Sequence, residues 1–177
     1  DEEELKTIDD MPQPARAIQL NKSLLLLSRI QNRQFEEVAE VDMNRHARHI
    51  IGLLSDLYEE KELDYHLSDT ETCRIRMNES LAHTLLTNLI KNAIIHSPDH
   101  GRVDIVIHSA RIEIINNGNQ ALDKQQIFKR FYKGNAGQKE STGLGLSIAQ
   151  SIANLYHIKL TYYHDGRHHF VLKIAKP

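Results

Sequence analysis

Apolar residues along this chain change their spacing from segment to segment, and each change predicts an element. Pro12 and Pro14 prevent a helix from running smoothly through the acidic segment before them. Ile18, Leu20, Leu24, Leu25, Leu27 and Ile30 then recur at helical spacing and predict a helix over about 15–33. No helical partner precedes it in the chain, so its stripe is expected to serve an incomplete helical hairpin or a dimer seam rather than the core. Phe35 to Met43 alternates weakly, as a strand does. Ala47, Ile50, Ile51, Leu54 and Leu57 follow at three- and four-residue spacing and predict a helix over 44–58. Segments 63–67 and 72–77 read as a pair of short strands, and Asn78 or Ser80 can cap a helix carrying Leu81, Leu85, Leu86, Leu89, Ile90 and Ala93 to about Ile95.

Arg102 to His108 and Arg111 to Asn116 alternate branched apolar with polar residues around Ser109-Ala110, the pattern of an antiparallel hairpin. A short helix over 123–131, a polar loop from Tyr132 to Thr142 and an amphipathic helix over 143–156 come next. Two closing strands, 159–164 and 168–174, turn around Asp165-Gly166. Helices laid over one face of a mixed, mostly antiparallel sheet make a two-layer α+β sandwich, here preceded by a helix.

The 177 residues allow one ordinary domain with a short appendage, and 40% hydrophobic with 26% charged residues is a globular balance. A net charge of −2 gives no field for gripping a nucleic-acid backbone, so no nucleic-acid partner is expected. The first ten residues hold six of the 24 acidic residues and one of the 22 basic ones, which leaves a mildly basic body suited to an anionic ligand. Cys73 is the only cysteine, so no internal disulfide can form and a cytoplasmic setting is expected. Leu24 to Leu27 is the longest apolar stretch, far short of the roughly 20 residues of a membrane helix. Any membrane attachment is expected to come from segments outside this chain.

Three pieces carry candidate chemistry. Five of the eight glycines fall between 118 and 145, and Ser141-Thr142-Gly143-Leu144-Gly145-Leu146 feeds a glycine turn straight into a helix. Backbone N–H groups and the helix dipole make an anion site there, although a plain linker entering a helix reads the same way. Asn88 and Asn92 lie four residues apart on one face of an apolar helix. Such carboxamides can hold a divalent cation together with phosphate oxygens, or can bond to a neighbouring helix. Ile114-Ile115-Asn116-Asn117-Gly118-Asn119 ends a strand in a polar run that also fits a simple turn.

In their order and spacing these pieces make the chain resemble the catalytic ATP-binding domain of the sensor histidine kinases, whose fold is shared with type II topoisomerases and mismatch-repair ATPases. Residues 81–97 resemble the N-box, 114–119 the first glycine box, 127–132 the phenylalanine box, 132–140 the ATP lid and 141–146 the second glycine box. Residues 15–61 resemble the second helix of the dimerisation domain and its junction, so 1–36 is expected to be a remnant of that domain and 37–177 the catalytic one. The resemblance implies an ATP-dependent protein-histidine kinase with a Bergerat-type fold, using ATP and Mg2+. Asn92 would coordinate the magnesium, Asn88 would support it, and Asn116 would read the adenine amine. Gly118, Thr142, Gly143, Leu144, Gly145 and Leu146 would line the nucleotide, with Arg130 and Lys133 reaching phosphate, Phe128 and Phe131 packing beneath the lid, and Lys91 solvated. The implied partners are ATP or ADP, the protein's own dimerisation domain, a response regulator and, in the full-length protein, a second copy. The implied location is the cytoplasmic portion of an inner-membrane sensor.

Several residues depart from the family pattern. Asn116 replaces an aspartate, and its amide, by rotating, would admit guanine as well as adenine. The second glycine of that box is missing, and Ile95 stands where many members carry a phosphate-contacting cation, leaving Lys133, Arg130 and Lys139 to neutralise charge. None of the eleven histidines has the setting of a phosphoacceptor, so the acceptor helix is expected to precede residue 1. His46 with His49 and His168 with His169 offer no convincing metal spacing. Asn88, at the place of an ATPase's glutamate, is no general base. A nucleotide-binding pseudokinase and a serine kinase of the anti-sigma type are the alternatives.

Overall fold

The structure, a computed structural model, describes residues 13–133 and 143–175. Helix α1 spans Gln13–Gln31, strand β1 Ala39–Asp42 and helix α2 Met43–Leu57. After a 3-10 turn at Glu59–Lys61 come β2 (Asp64–Ser68), β3 (Arg74–Met77) and α3 (Glu79–Ile95). The remaining elements are β4 (Arg102–His108), β5 (Arg111–Asn117), α4 (Gly145–Leu155), β6 (Lys159–His164) and β7 (Arg167–Lys173).

Five strands form one sheet in the order β2-β4-β5-β7-β6, in which only β2 and β4 run parallel. Helices α3 and α4 cover one face, giving the α+β arrangement. The hairpin turns through Ser109-Ala110 as the alternation requires, with His108 opposite Arg111. Helix starts follow local chemistry: Asp42 accepts from the Arg45 N–H at 3.1 Å to cap α2, and Asn78 accepts from the Leu81 N–H at 3.1 Å to cap α3. Leu85, Leu86, Leu89 and Ile90 of α3 are fully buried over Ile105, Ile112 and Ile114 of the sheet. Each such side chain contributes about 1.5–3 kcal/mol by leaving water.

Segments 63–67 and 72–77 do form strands, but not with each other. β2 joins the edge of the large sheet, whereas β3 pairs with β1 in a separate ribbon. The cause is the Asn44 amide, which donates to the Glu71 carbonyl and accepts from the Cys73 N–H, both at 2.8 Å, and so ties the start of β3 to the start of α2. The expected helix over 123–131 is a run of turns. Ile127 N–H reaches the Asp123 carbonyl in helical fashion, but the following bonds tighten to three-residue closures and Phe131 leaves helical space at φ +63°.

The stripe of α1 divides. Leu27 and Ile30 are buried where the helix packs on α4, while Ile18 and Leu25 stand 58% and 63% exposed. Leu20, Leu24 and Leu26 also pack against the core, so the helix divides by face, and Ile18 and Leu25, seven residues apart, stand on its uncovered apolar side. Among the described residues, no helix is long and apolar enough to cross a membrane.

Candidate functional site

Helices α3 and α4 meet at the glycine turn. Asn88 donates from its amide to the Thr84 carbonyl at 3.0 Å, which directs its Oδ1 toward Gly145, where a Cβ would lie 3.1 Å from that oxygen. Gly145 thus lets the start of α4 sit directly against the asparagine pair's helix. Asn92, one turn further along α3, is half-buried and makes no side-chain hydrogen bond among the described residues. Lys91 is not the solvated residue its sequence neighbourhood suggests: it is half-buried, and burial pushes its ammonium down to about 8.

The first turn of α4 has no side-chain cap, so no capping side chain accepts from its leading N–H groups. Leu144 is fully buried and can offer a ligand only its backbone; Leu146 is half-buried. Gly143 holds φ +70°, and its carbonyl accepts from the Phe131 N–H at 2.8 Å. This backbone contact, not the Phe131 ring, joins the phenylalanine segment to the glycine turn, and the ring stands 55% exposed, contrary to the packing role expected for it. Phe128 does pack, edge-on to Phe170 with ring centroids 6.4 Å apart. Arg130 and Lys133 are exposed. Thr142, Lys139 and the lid from 134 onward lie outside the described residues.

Ile95 belongs to the buried core, and its carbonyl accepts from Lys61 Nζ at 2.9 Å. A lysine brought from the 3-10 turn therefore sits at the carboxyl end of α3. The alternation of β2 gives no hint of this cation, because only the three-dimensional path of the 59–61 turn brings it there.

The end of β5 supplies the other wall. Asn116 is almost fully buried, and its Nδ2 donates to the Asn117 carbonyl at 3.0 Å. That bond fixes the amide's orientation and opposes the rotation that would admit guanine. Its Oδ1 is left buried with no partner among the described residues, an arrangement that costs about 1–3 kcal/mol unless something donates to it. Gly118 lies under the His168 ring so closely that any Cβ would collide with Nε2, and its carbonyl pairs with His164 Nε2 at 2.7 Å. Tyr162 accepts from the Leu122 N–H at 3.0 Å and pairs with His168 Nδ1 at 2.9 Å. Burial, followed by neighbouring histidines, pushes His168 down to about 4. Sequence reading passed over His164 and His168 in this role, since only the cross-strand register reveals their neighbours.

A family model described as histidine kinase-, DNA gyrase B-, and HSP90-like ATPase matches residues 77–176. The heme sensor protein HssS of Staphylococcus epidermidis is 35% identical over 162 residues, covering 88% of this chain and 36% of that protein. The chain thus spans about a third of the length of this curated relative. The catalytic domain of histidine kinase ThkA superposes with a TM-score of 0.68 at 25% identity, over 79% of this chain and 96% of that one. Histidine kinase ThkA in complex with response regulator protein TrrA gives 0.68 at 21% identity, over 92% and 49%, a likeness of fold. The matched segment holds the asparagine-bearing α3, the glycine turn opening α4 and the end of β5, and the chain belongs to the family of histidine kinase-, DNA gyrase B- and HSP90-like ATPases.

Proposed function

We propose that this chain is the catalytic ATP-binding region of a two-component sensor histidine kinase, which transfers the γ-phosphoryl group of ATP to a histidine outside the chain for relay to a response-regulator aspartate. The observation that carries the reading is the buried, partnerless Oδ1 of Asn116, an acceptor suited to an exocyclic amine, set in the same fold as an uncapped helix start suited to phosphate. The residues fit a nucleotide with its base at Asn116 and Gly118 and its phosphates at the backbone of Gly143, Leu144, Gly145 and Leu146. Thr142, Arg130 and Lys133 complete the phosphate side in this reading. Asn92, whose amide oxygen has no hydrogen bond among the described residues, would hold Mg2+, with Asn88 supporting the helix face beside it. Bound there, magnesium would offset charge on the phosphates.

The chain's own part is to bind, orient and exclude. Asn116 selects the base, the α4 amides fix the phosphate chain in line, and Asn88 supplies no base to activate water, so transfer to a histidine is favoured over hydrolysis. Residues 1–36, with α1, would be the tail of the dimerisation unit, and the partners would be that unit, a second copy and the response regulator. The parent protein would be a membrane sensor with this portion in the cytoplasm. A second reading, a pseudokinase that binds nucleotide without transfer, draws on one observation: the buried Ile95 at the family's cation position.

Calorimetry with ADP and magnesium tests the binding. Asn92→Ala is expected to weaken it roughly ten- to a hundredfold, the worth of a metal-linked contact of about 1.5–3 kcal/mol. An Asn92→Ala protein that binds as tightly as the parent would refute the assignment. Transfer from ATP to a separately supplied dimerisation domain decides between kinase and pseudokinase.

A further inference from the structure

Asn116 and His168 are register partners across β5 and β7, as are Ile114 and Phe170 two residues along the same strands. Directly paired residues of antiparallel strands project from the same face of the sheet. Ile114 and Phe170 are buried in the core beneath the helices, so Asn116 and His168 rise side by side from the helix-covered face at the strand ends. One offers an acceptor without a partner, the Oδ1 of Asn116. The other offers Nε2, which lies over Gly118 and has no hydrogen-bond partner among the described residues.

The protonation of that ring follows from its neighbours. The Tyr162 hydroxyl already accepts from the Leu122 N–H, so its own proton is available to His168 Nδ1. With Nδ1 accepting, the neutral ring carries its proton on Nε2 and presents a donor. The low basicity of this ring keeps it neutral at ordinary pH.

We propose that His168 is a second base-reading residue, donating from Nε2 to adenine N1 while Asn116 Oδ1 accepts from the adjacent amine. The pair matches the donor–acceptor order of adenine's Watson–Crick edge. Guanine presents the reverse, a carbonyl toward Asn116 and an N1–H toward His168, so both contacts turn repulsive or unsatisfied. The amide of Asn116 thereby discriminates as a carboxylate would, because its Nδ2 is tied to Asn117 and the histidine supplies the donor. This inference rests on the nucleotide reading above and names how the site chooses its base.

The test uses the whole chain and two ligands, ADP and 1-deaza-ADP, in which a C–H replaces N1. The parent should prefer ADP by roughly five- to tenfold, the worth of one neutral hydrogen bond. In His168→Phe, which keeps an aromatic ring over Gly118 but has no donor, that ratio should fall to about one. His168→Gln, which restores an N–H near the same place, should recover part of it. An equal preference in parent and His168→Phe overturns the inference, and so does tighter ADP binding by His168→Phe, which would make the polar ring nitrogen a hindrance rather than a donor to the base. Failure of the parent to bind ADP at all overturns both this inference and the nucleotide reading, whereas ADP binding with an unmoved ratio overturns this inference alone.

Discussion

Two glycines of this chain should respond to the same substitution with opposite signs. At Gly143, φ is +70°, and a Cβ would lie 2.6 and 2.7 Å from the carbonyl carbon and Cα of Phe131 and 2.9 Å from the Tyr132 nitrogen. Placing alanine in left-handed space costs about 1–2 kcal/mol. The three neighbours are backbone atoms, which cannot swing aside as a side-chain tip can, and ordinary carbon contacts need about 3.5–4.0 Å. Relief requires the two segments to part, at the expense of the 2.8 Å bond from the Phe131 N–H to the Gly143 carbonyl, worth about 0.5–1.5 kcal/mol. Gly143→Ala should therefore destabilise the fold by about 2–4 kcal/mol. At Gly52, inside α2, nothing lies within 4 Å of an added Cβ. Alanine there removes the entropic cost of an interior helical glycine and should stabilise by about 0.8–1 kcal/mol.

Urea unfolding followed by helical circular dichroism measures both changes directly. In thermal scans, a chain of this size shifts by about 2–4 °C per kcal/mol, so Gly143→Ala should melt roughly 5–15 °C lower and Gly52→Ala a few degrees higher. Were Gly143→Ala as stable as the parent within about 0.5 kcal/mol, the clamp between the phenylalanine segment and the glycine turn would accept a Cβ without strain, and the reasoning would fail. Because the same turn opens α4, the Gly143→Ala protein should also lose ADP affinity, while Gly52→Ala should keep it.

The remaining predictions concern pH, Asn116 and the reaction. His168 is held at about 4 in the fold against an ordinary value of 6.5; the unfolded chain takes up the proton first as pH falls. Stability from this ring is thus fully present above about 6.5 and is lost between there and about 4, a change on the order of 3 kcal/mol. His168→Phe should flatten that part of the profile, and an unchanged slope in the variant would contradict it. Asn116→Leu removes a partnerless buried oxygen together with one hydrogen bond, so it should leave stability within about 1 kcal/mol of the parent while weakening ADP binding tenfold or more; equal ADP affinity would remove Asn116 from the site. Incubated alone with ATP, the chain should gain no stable phosphohistidine and hydrolyse only slowly, and acid-labile label on this chain would overturn the reading.

What the sequence discloses here, and what it hides, separates along one physical line. Helices α2, α3 and α4 and the β4–β5 hairpin are legible because their spacing, caps and turns lie within a few residues of one another: Asp42 reaches Arg45, Asn78 reaches Leu81, and Ser109-Ala110 closes its own strands. The turn run at 123–131 imitates a helix start at Asp123, and only the positive φ of Phe131, required to meet Gly143, shows why the helix cannot continue. Strand partners beyond the hairpin depend on long-range ties such as the Asn44 amide, which no alternation records. The site divides in the same way. Asn88, Asn92 and the glycine turn stand out locally because carboxamides and glycines are costly inside apolar helical patterns. Lys61 at Ile95 and His168 at Asn116 are joined across 34 and 52 positions of sequence by fold alone. A cation lost from α3 at Ile95 has a lysine near the same helix end, and a carboxylate lost at Asn116 has a histidine beside it. In both places a polar residue from elsewhere in the fold, Lys61 of the 3-10 turn and His168 of β7, stands beside the departure, so motif departures in this chain need to be judged by their spatial neighbours before they are read as lost function.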